Sequence, residues 1–187
     1  MNINLVTSNL GKVEELTYIL KPFGHKASQL NVECPEIQAS TLEEVVDFGL
    51  DWLGAKKIQT PFIIDDAGIF VEALENFPGV YSRYVYDTIG LQGVLKQMES
   101  IVDRVTRFKC VLGLMFEDGS KHKFVGECKG NLIHEMRGTG GFGYDPIFIP
   151  DGYTKTFSEL SPEEKNEVSH RGRAMHKLID FLSKLED

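Results

Sequence analysis

Two adjacent carboxylates, Asp65 and Asp66, follow the apolar run Phe62-Ile63-Ile64. Charge at the end of a buried strand needs a partner, because an unpaired buried carboxylate is costly. Strand side chains alternate between faces, so the two point in opposite directions. One is expected to face a cleft, and the other to be structural. A metal ion is one partner that would justify them, and Glu36, in a loop after Pro35, is a candidate second ligand. Hard oxygen donors without His or Cys nearby select magnesium. The same aspartates read equally well as turn or helix-capping residues.

A second chemical stretch lies at the start: Thr7, Ser8, Asn9, Leu10, Gly11 and Lys12 connect a strand-like run to a helical pattern. A Walker A loop is excluded, since Val6 stands at the first glycine position and Val13 at the Ser/Thr position. The physical logic of an anion site remains. A helix N-terminus offers free backbone N–H groups and the positive end of the helix dipole, and Lys12 adds an ammonium. A phosphate chain suits it, and so does an ordinary capped helix with a solvated lysine.

The loop Gly138-Thr139-Gly140-Gly141-Phe142-Gly143 matches GxGxxG, but Pro146 and a β-like run follow it. A dinucleotide fingerprint must open a helix, so that function is excluded. The loop reads instead as a turn presenting Phe142 and Tyr144, on which a base ring could stack, or as a turn with two core aromatics. Near the end, Lys165, His170 and Arg171 cluster before the last helix. They suit substrate reading or a polar helix–helix joint.

Elements must hold these groups in place. Residues 3–6 read as a strand, and Val13, Leu16, Ile19 and Leu20 recur at helical spacing, with Ser8 or Asn9 as N-cap. Thr41 with Glu44 forms a capping-box pattern, predicting a helix to about Lys57. The strand at residues 62–64 is expected to end at the aspartates, with a second short strand over 69–74. Pro78-Gly79 marks a loop, and residues 88–98 read as a helix. Residues 104–117 and 120–130 alternate around Asp118-Gly119 and predict a long hairpin. A short strand over 147–149, a capped helix from Ser161-Pro162, and a helix over 171–185 with Ala174, Leu178, Ile179 and Leu182 on one face complete the chain. Interleaved helices and strands with an antiparallel hairpin predict a mixed α/β sheet packed by helices.

The 187 residues, 42% of them hydrophobic, suit one domain spanning 1–187. A net charge of −8 argues against non-specific nucleic-acid binding. Three cysteines without a CxxC pair (Cys34, Cys110 and Cys128) suit a reducing cytosol, each as a small buried hydrophobe. Neither a signal peptide nor an apolar run of membrane-spanning length is visible, so a cytoplasmic protein is expected.

The order of "TSNxxK", "PEIQ", "DDAG", "PGVYSR", "GFGYDPIF" and "KNEVSHRGRA" along the chain resembles the inosine triphosphate pyrophosphatase family, over essentially the whole length. The resemblance implies a mixed α/β protein with a long curved sheet, two lobes around a central substrate cleft, and a homodimer. It implies hydrolysis of inosine, deoxyinosine and xanthosine triphosphates to the monophosphate and pyrophosphate. Residues 7–12 would hold the triphosphate, with Lys12 and Lys165 offsetting its charge. Glu36 and Asp66 would bind magnesium, and Asp66 would help activate water. Ala67 would lie beside the substrate. Phe142, Gly143, Tyr144 and Asp145 would shape the base pocket, and His170 and Arg171 would read the 6-keto edge. Two positions depart from the family pattern: Ala67 replaces the serine of DDSG, and Asp47-Phe48-Gly49-Leu50 lacks a lysine common there. The rival readings are a pyrophosphatase for modified pyrimidine or methylated nucleotides, and a nucleotide sensor without turnover.

Overall fold

The computed structural model describes residues 1–186. β1 (Asn2–Val6) feeds α1 (Leu10–Leu20), and the chain returns as β2 (Lys26–Leu30) parallel to β1. Asn9 caps α1, its Oδ1 accepting from the Gly11 and Lys12 amides at 2.9 and 3.4 Å. α2 (Leu42–Ala55) begins at the capping box expected of Thr41 and Glu44. β2 was not anticipated. Its sequence, KASQL, has neither an apolar run nor clean alternation, and it is an edge strand at the end of the sheet.

β3 is one strand, Phe62–Val71, where the sequence suggested two. Its ladder with β4 (Val105–Met115) runs unbroken from Phe62↔Met115 to Val71↔Thr106. The aspartates therefore sit mid-strand rather than at its end. Gly68 is needed there because a Cβ would lie 2.3 Å from the Gly79 carbonyl oxygen. After Pro78-Gly79 the chain forms α3 (Ser82–Thr88) and α4 (Gly90–Gln97), so the expected helix over 88–98 is its second half only.

β4 and β5 (Lys121–Leu132) form the expected hairpin, closed by Phe116 and Ser120 around Gly119 in a left-handed conformation. β6 is Phe148–Pro150, after a 3-10 turn over Asp145–Ile147. α5 (Pro162–Val168) starts at the Ser161–Glu164 capping box, and α6 (His170–Glu186) closes the chain.

The six-stranded sheet has the order β2-β1-β3-β4-β5-β6. β2, β1 and β3 are parallel, and the rest are antiparallel, so the fold is mixed α/β. One face buries Leu16, Ile19 and Leu20 of α1 and Ala174, Leu178, Ile179 and Leu182 of α6 against Ile3, Leu5, Ile63 and Cys110. The other buries Leu42, Val46, Leu50 and Leu53 of α2 against Phe62, Val111 and Met115. A third cluster joins Val85, Val94 and Met98 to Phe108, Phe148 and Phe157. β1 pairs with β3 only at Phe62 and Ile63. From Ile64 to Gly68 β3 has no strand partner on that side among the described residues, until Phe70 bridges Pro78, and a cleft lies along this stretch.

Candidate active site

A cavity of about 1300 Å³ is lined by residues from the β1–α1 connection, the loop over 31–36, α2, the middle of β3, α3, the 142–145 segment and the start of α6. Thr7, Ser8, Asn9 and Lys12 line one end. Thr7 Oγ1 accepts from the Asn9 amide at 3.1 Å, holding the connection as a tight turn. Two residues of this stretch behave differently from expectation: Leu10 is 65% exposed, and neither it nor Gly11 lines the cavity. Gly11 has a packing role instead. A Cβ there would lie 3.0 Å from the Phe142 ring.

Alternation separates the two aspartates as expected. The Asp65 side chain is 2% exposed and faces α1 and α6. Its Oδ1 meets Lys12 Nζ at 2.5 Å, and Arg171 Nε donates to its Oδ2 at 2.8 Å. The Cys110 thiol lies 3.2 Å from that Oδ2. Burial alone would raise the Asp65 pKa, but Arg171 and Lys12 outweigh it and hold the carboxyl well below its usual range. Lys12 also donates to the Asp65 carbonyl at 2.8 Å.

Asp66 faces the side of α2 and the loop carrying Glu36. Among the described residues it has no ion-pair partner, and its Oδ1 accepts only the adjacent Ala67 amide, at 3.1 Å. Burial pushes its pKa up to about 6. Lys12 pulls the other way, while the negative charges of Asp65 and Glu36 add to the rise. A half-buried carboxylate with a like-charged neighbour across the cleft is a site that favours a cation. Glu36 is exposed in the loop, and no cluster of three or more acidic, His or Cys ligands exists among the described residues. The carboxylates of Asp66 and Glu36 are hard oxygen donors, of the type that suits a divalent ion such as magnesium.

Across the cleft, the C-terminal motif is locked into a charge network. Glu15 bridges Lys165 Nζ at 2.8 Å and Arg171 Nη1 at 2.6 Å. Asp145 takes Lys165 at 2.8 Å and the Phe142 amide, also at 2.8 Å. Burial opposes ionisation of Glu15, yet Arg171 and Lys165 prevail and lower its pKa. Burial likewise opposes the Lys165 ammonium, and Asp145 and Glu15 raise its pKa nonetheless. For Asp145 burial wins over Lys165, and its pKa is raised. Lys165 lies 4.7 Å and Arg171 5.4 Å from the Phe142 ring centroid.

Tyr144 lines the cavity but is 5% exposed, with its hydroxyl donating to the Ser82 carbonyl at 2.7 Å. His170 stacks on Phe108 at 4.6 Å with its Nδ1 buried and unpartnered. Its burial, together with Arg171 and Lys165, pushes its pKa well below the usual imidazole value, so the ring is neutral. Gly143 and Ala67 also line the cavity wall. Cys110 and Cys128 are buried, whereas Cys34 is half-buried and lines the cleft, contrary to the expectation of a buried hydrophobe.

Reasoning from the sequence missed Glu15, although it lies three residues after Lys12 and thus on the same helical face. It also gave no role to Ser82 and Arg83 of the quoted "PGVYSR" stretch, or to Trp52 and Lys56 of α2, all of which line the cavity.

A profile described as the Ham1 family matches residues 3–181. The chain belongs to the Ham1 family. It is 51% identical over 182 residues to a protein of Thermococcus kodakarensis named dITP/XTP pyrophosphatase, covering 97% of each chain. It is 53% identical, with the same coverage, to one of that name from Pyrococcus horikoshii. Among solved Ham1 structures, that of Coxiella burnetii superposes with a TM-score of 0.84 at 31% identity, covering 98% of this chain and 99% of the other. The Staphylococcus aureus Ham1 protein gives 0.83 at 29% identity, with the same coverage. In this Ham1 chain the Thr7–Asn9 turn, Asp66, Phe142, Lys165 and Arg171 line one cleft.

Proposed function

We propose that the protein hydrolyses non-standard purine nucleoside triphosphates, those of deoxyinosine, inosine and xanthosine, to the monophosphate and pyrophosphate. The observation that carries this reading is the near full-length identity to two chains named dITP/XTP pyrophosphatase. The α–β phosphoanhydride bond breaks, water oxygen joins the α-phosphorus, and pyrophosphate leaves. Asp66 is poised to take the proton from the attacking water, since its raised pKa brings it close to that required of a base near neutral pH. Glu36 and Asp66 would hold magnesium, which when bound supplies charge to the phosphate oxygens. The Thr7–Asn9 turn at the positive end of α1 lines the cleft and would hold phosphate, and Lys12, held by Asp65, would offset its charge.

Phe142 offers a ring for the base to stack on. Arg171 spends N–H groups from all three of its nitrogens on Asp65 and Glu15. A guanidinium carries five N–H donors and no acceptor. Those left over suit the 6-keto oxygen of hypoxanthine or xanthine and oppose the 6-amino group of adenine. A site built on such a bond can reject the wrong base by roughly 10⁴-fold. Guanine shares the keto oxygen, so its exclusion rests on its 2-amino group buried near the 142–145 segment.

The same reading takes the protein as a cytoplasmic homodimer that binds a small nucleotide, without a nucleic-acid or membrane partner. None of the described helices is long and apolar enough to cross a membrane. Pyrophosphate release should be measured for a panel of purine and pyrimidine triphosphates, with magnesium and with chelator. Turnover of dITP and XTP far above dATP and dTTP, lost in chelator, is expected. Equal rates on standard nucleotides, or preference for a modified pyrimidine, would overturn it. Light scattering on a sizing column tests the dimer.

A further inference from the structure

Five cationic side chains line the cleft: Lys12, Lys56, Arg83, Lys165 and Arg171. Four are held by carboxylates. Lys12 has Asp65, Arg83 has Asp87, Lys165 has Glu15 and Asp145, and Arg171 has Asp65 and Glu15. No ion pair among the described residues includes Lys56. Instead its ammonium lies 4.3 Å from the centroid of the Trp52 ring.

That seat places the charge. Lys56 is the C-cap residue of α2 and keeps helical backbone angles. Gly49, Trp52 and Lys56 follow the spacing of one helical face, and all three line the cleft. Helical side chains lean towards the helix N-terminus. Folded onto Trp52, the Lys56 ammonium therefore reaches back about one turn, towards Gly49. There the helix shows no side chain and lies close against β3. A Cβ on Gly49 would be 2.7 Å from Ile64 Cδ1 and 3.6 Å from Cys34 Sγ. Ile64 is on the same face of β3 as Asp66, about 7 Å along the strand. The unpaired cation and the unpaired carboxylate thus share one wall. The base pocket, with Phe142, Lys165 and Arg171, lies on the other.

We propose that Lys56, seated on Trp52, contacts the distal phosphates of the bound triphosphate, the part that leaves as pyrophosphate. This rests on the function proposed above. A triphosphate brings several negative charges into an acidic protein. The paired cations have much of their charge offset by their carboxylates, whereas Lys56 offers its charge undiminished. The indole face orients the ammonium by cation–π attraction without neutralising it. The flexible lysine therefore has less freedom left to lose when phosphate arrives.

The test measures binding of tripolyphosphate and of inosine monophosphate by calorimetry, in chelator, to the wild type, K56Q, K56R and K57Q. Lys57 is exposed and does not line the cleft, so it serves as a control for general surface charge. K56Q should weaken tripolyphosphate about tenfold, the size of one charged contact, and leave inosine monophosphate within about twofold. K56R should retain most of the affinity, and K57Q should match the wild type. The inference is overturned if K56Q binds tripolyphosphate as tightly as the wild type, or loses both ligands by the same factor. Turnover of dITP by the wild type reports on the proposed activity separately. Absent turnover with Lys56-dependent tripolyphosphate binding would remove the activity and keep the phosphate site. Normal turnover with Lys56-independent binding would remove this inference alone.

Discussion

The two faces of β3 treat neighbouring aspartates in opposite ways. On the face towards α1 and α6, Asp65 sits in a closed network in which Lys12, Glu15, Arg171, Lys165 and Asp145 satisfy one another. On the face towards α2, Asp66 and Lys56 have no ion-pair partner among the described residues. The first side is finished before any ligand arrives: its cations are fixed in place, with little reorganisation left for binding, which is what recognition of a base edge requires. The second side is left electrostatically incomplete. The raised Asp66 pKa reflects a buried carboxylate with Asp65 and Glu36 as like-charged neighbours and no ion-pair partner among the described residues.

Breaking the finished side should give the largest effect. Asp65→Ala leaves Arg171 with Glu15 alone and strips Lys12 of its carboxylate. Removing one partner of a buried ion pair typically costs about 3–5 kcal/mol. Urea unfolding should show a loss of that order, together with lost activity. A change below about 1 kcal/mol, the worth of an exposed pair, would mean that the network contributes little to the fold.

The unfinished side should respond inversely. Asp66→Asn is expected to lower dITP turnover by at least about a hundredfold, in line with removal of a general base. Stability should hold or rise, because a carboxylate with a raised pKa is itself unfavourable in the folded state. Near-normal turnover in a folded Asp66→Asn protein would take this residue out of the chemistry.

A subtler change sharpens the contrast. Arg171→Lys keeps the charge and discards the planar fork. The ratio of dITP to dATP turnover should fall by about tenfold, the value of one oriented charged hydrogen bond. If both substrates slow by the same factor, Arg171 is a pillar of the network and something else reads the base.

The smallest expected effect concerns pH. The Glu15 pKa is lowered from its ordinary 4.5, with Arg171 and Lys165 overcoming the effect of burial. Its folded state therefore binds fewer protons than the unfolded chain. The stability it contributes is complete above pH 4.5 and is lost as pH falls through the folded value. The stability gap between wild type and Glu15→Gln, measured by urea at pH 7 and at successively lower pH below 4.5, should narrow as pH falls. A gap independent of pH would mean that Glu15 acts by shape rather than charge.

Local rules were legible. The capping boxes at Thr41 and Ser161, the hairpin around Gly119 and the buried stripe of α6 all appear where the sequence placed them. Each depends on residues within a turn or two of one another. The missed elements are those whose stability is non-local. β2 is held by pairing with β1, and β3 crosses Asp65, Asp66 and Gly68 because β4 supplies a continuous ladder. α3 follows a Pro-Gly loop signal too closely for periodicity to reveal it.

The sequence by itself determined the family, through the order of its motifs, and the alternation that sends Asp65 and Asp66 to opposite faces. It did not determine which aspartate would be buried among cations and which left free. That outcome depends on Glu15 meeting Lys165 and Arg171 across 150 and 156 residues, and on Asp65 meeting Arg171 across 106. Only the packing of α1 and α6 on the same sheet face brings these charges together. A carboxylate's character follows from its distance to other charges and from the water it has lost, and both are properties of the folded chain.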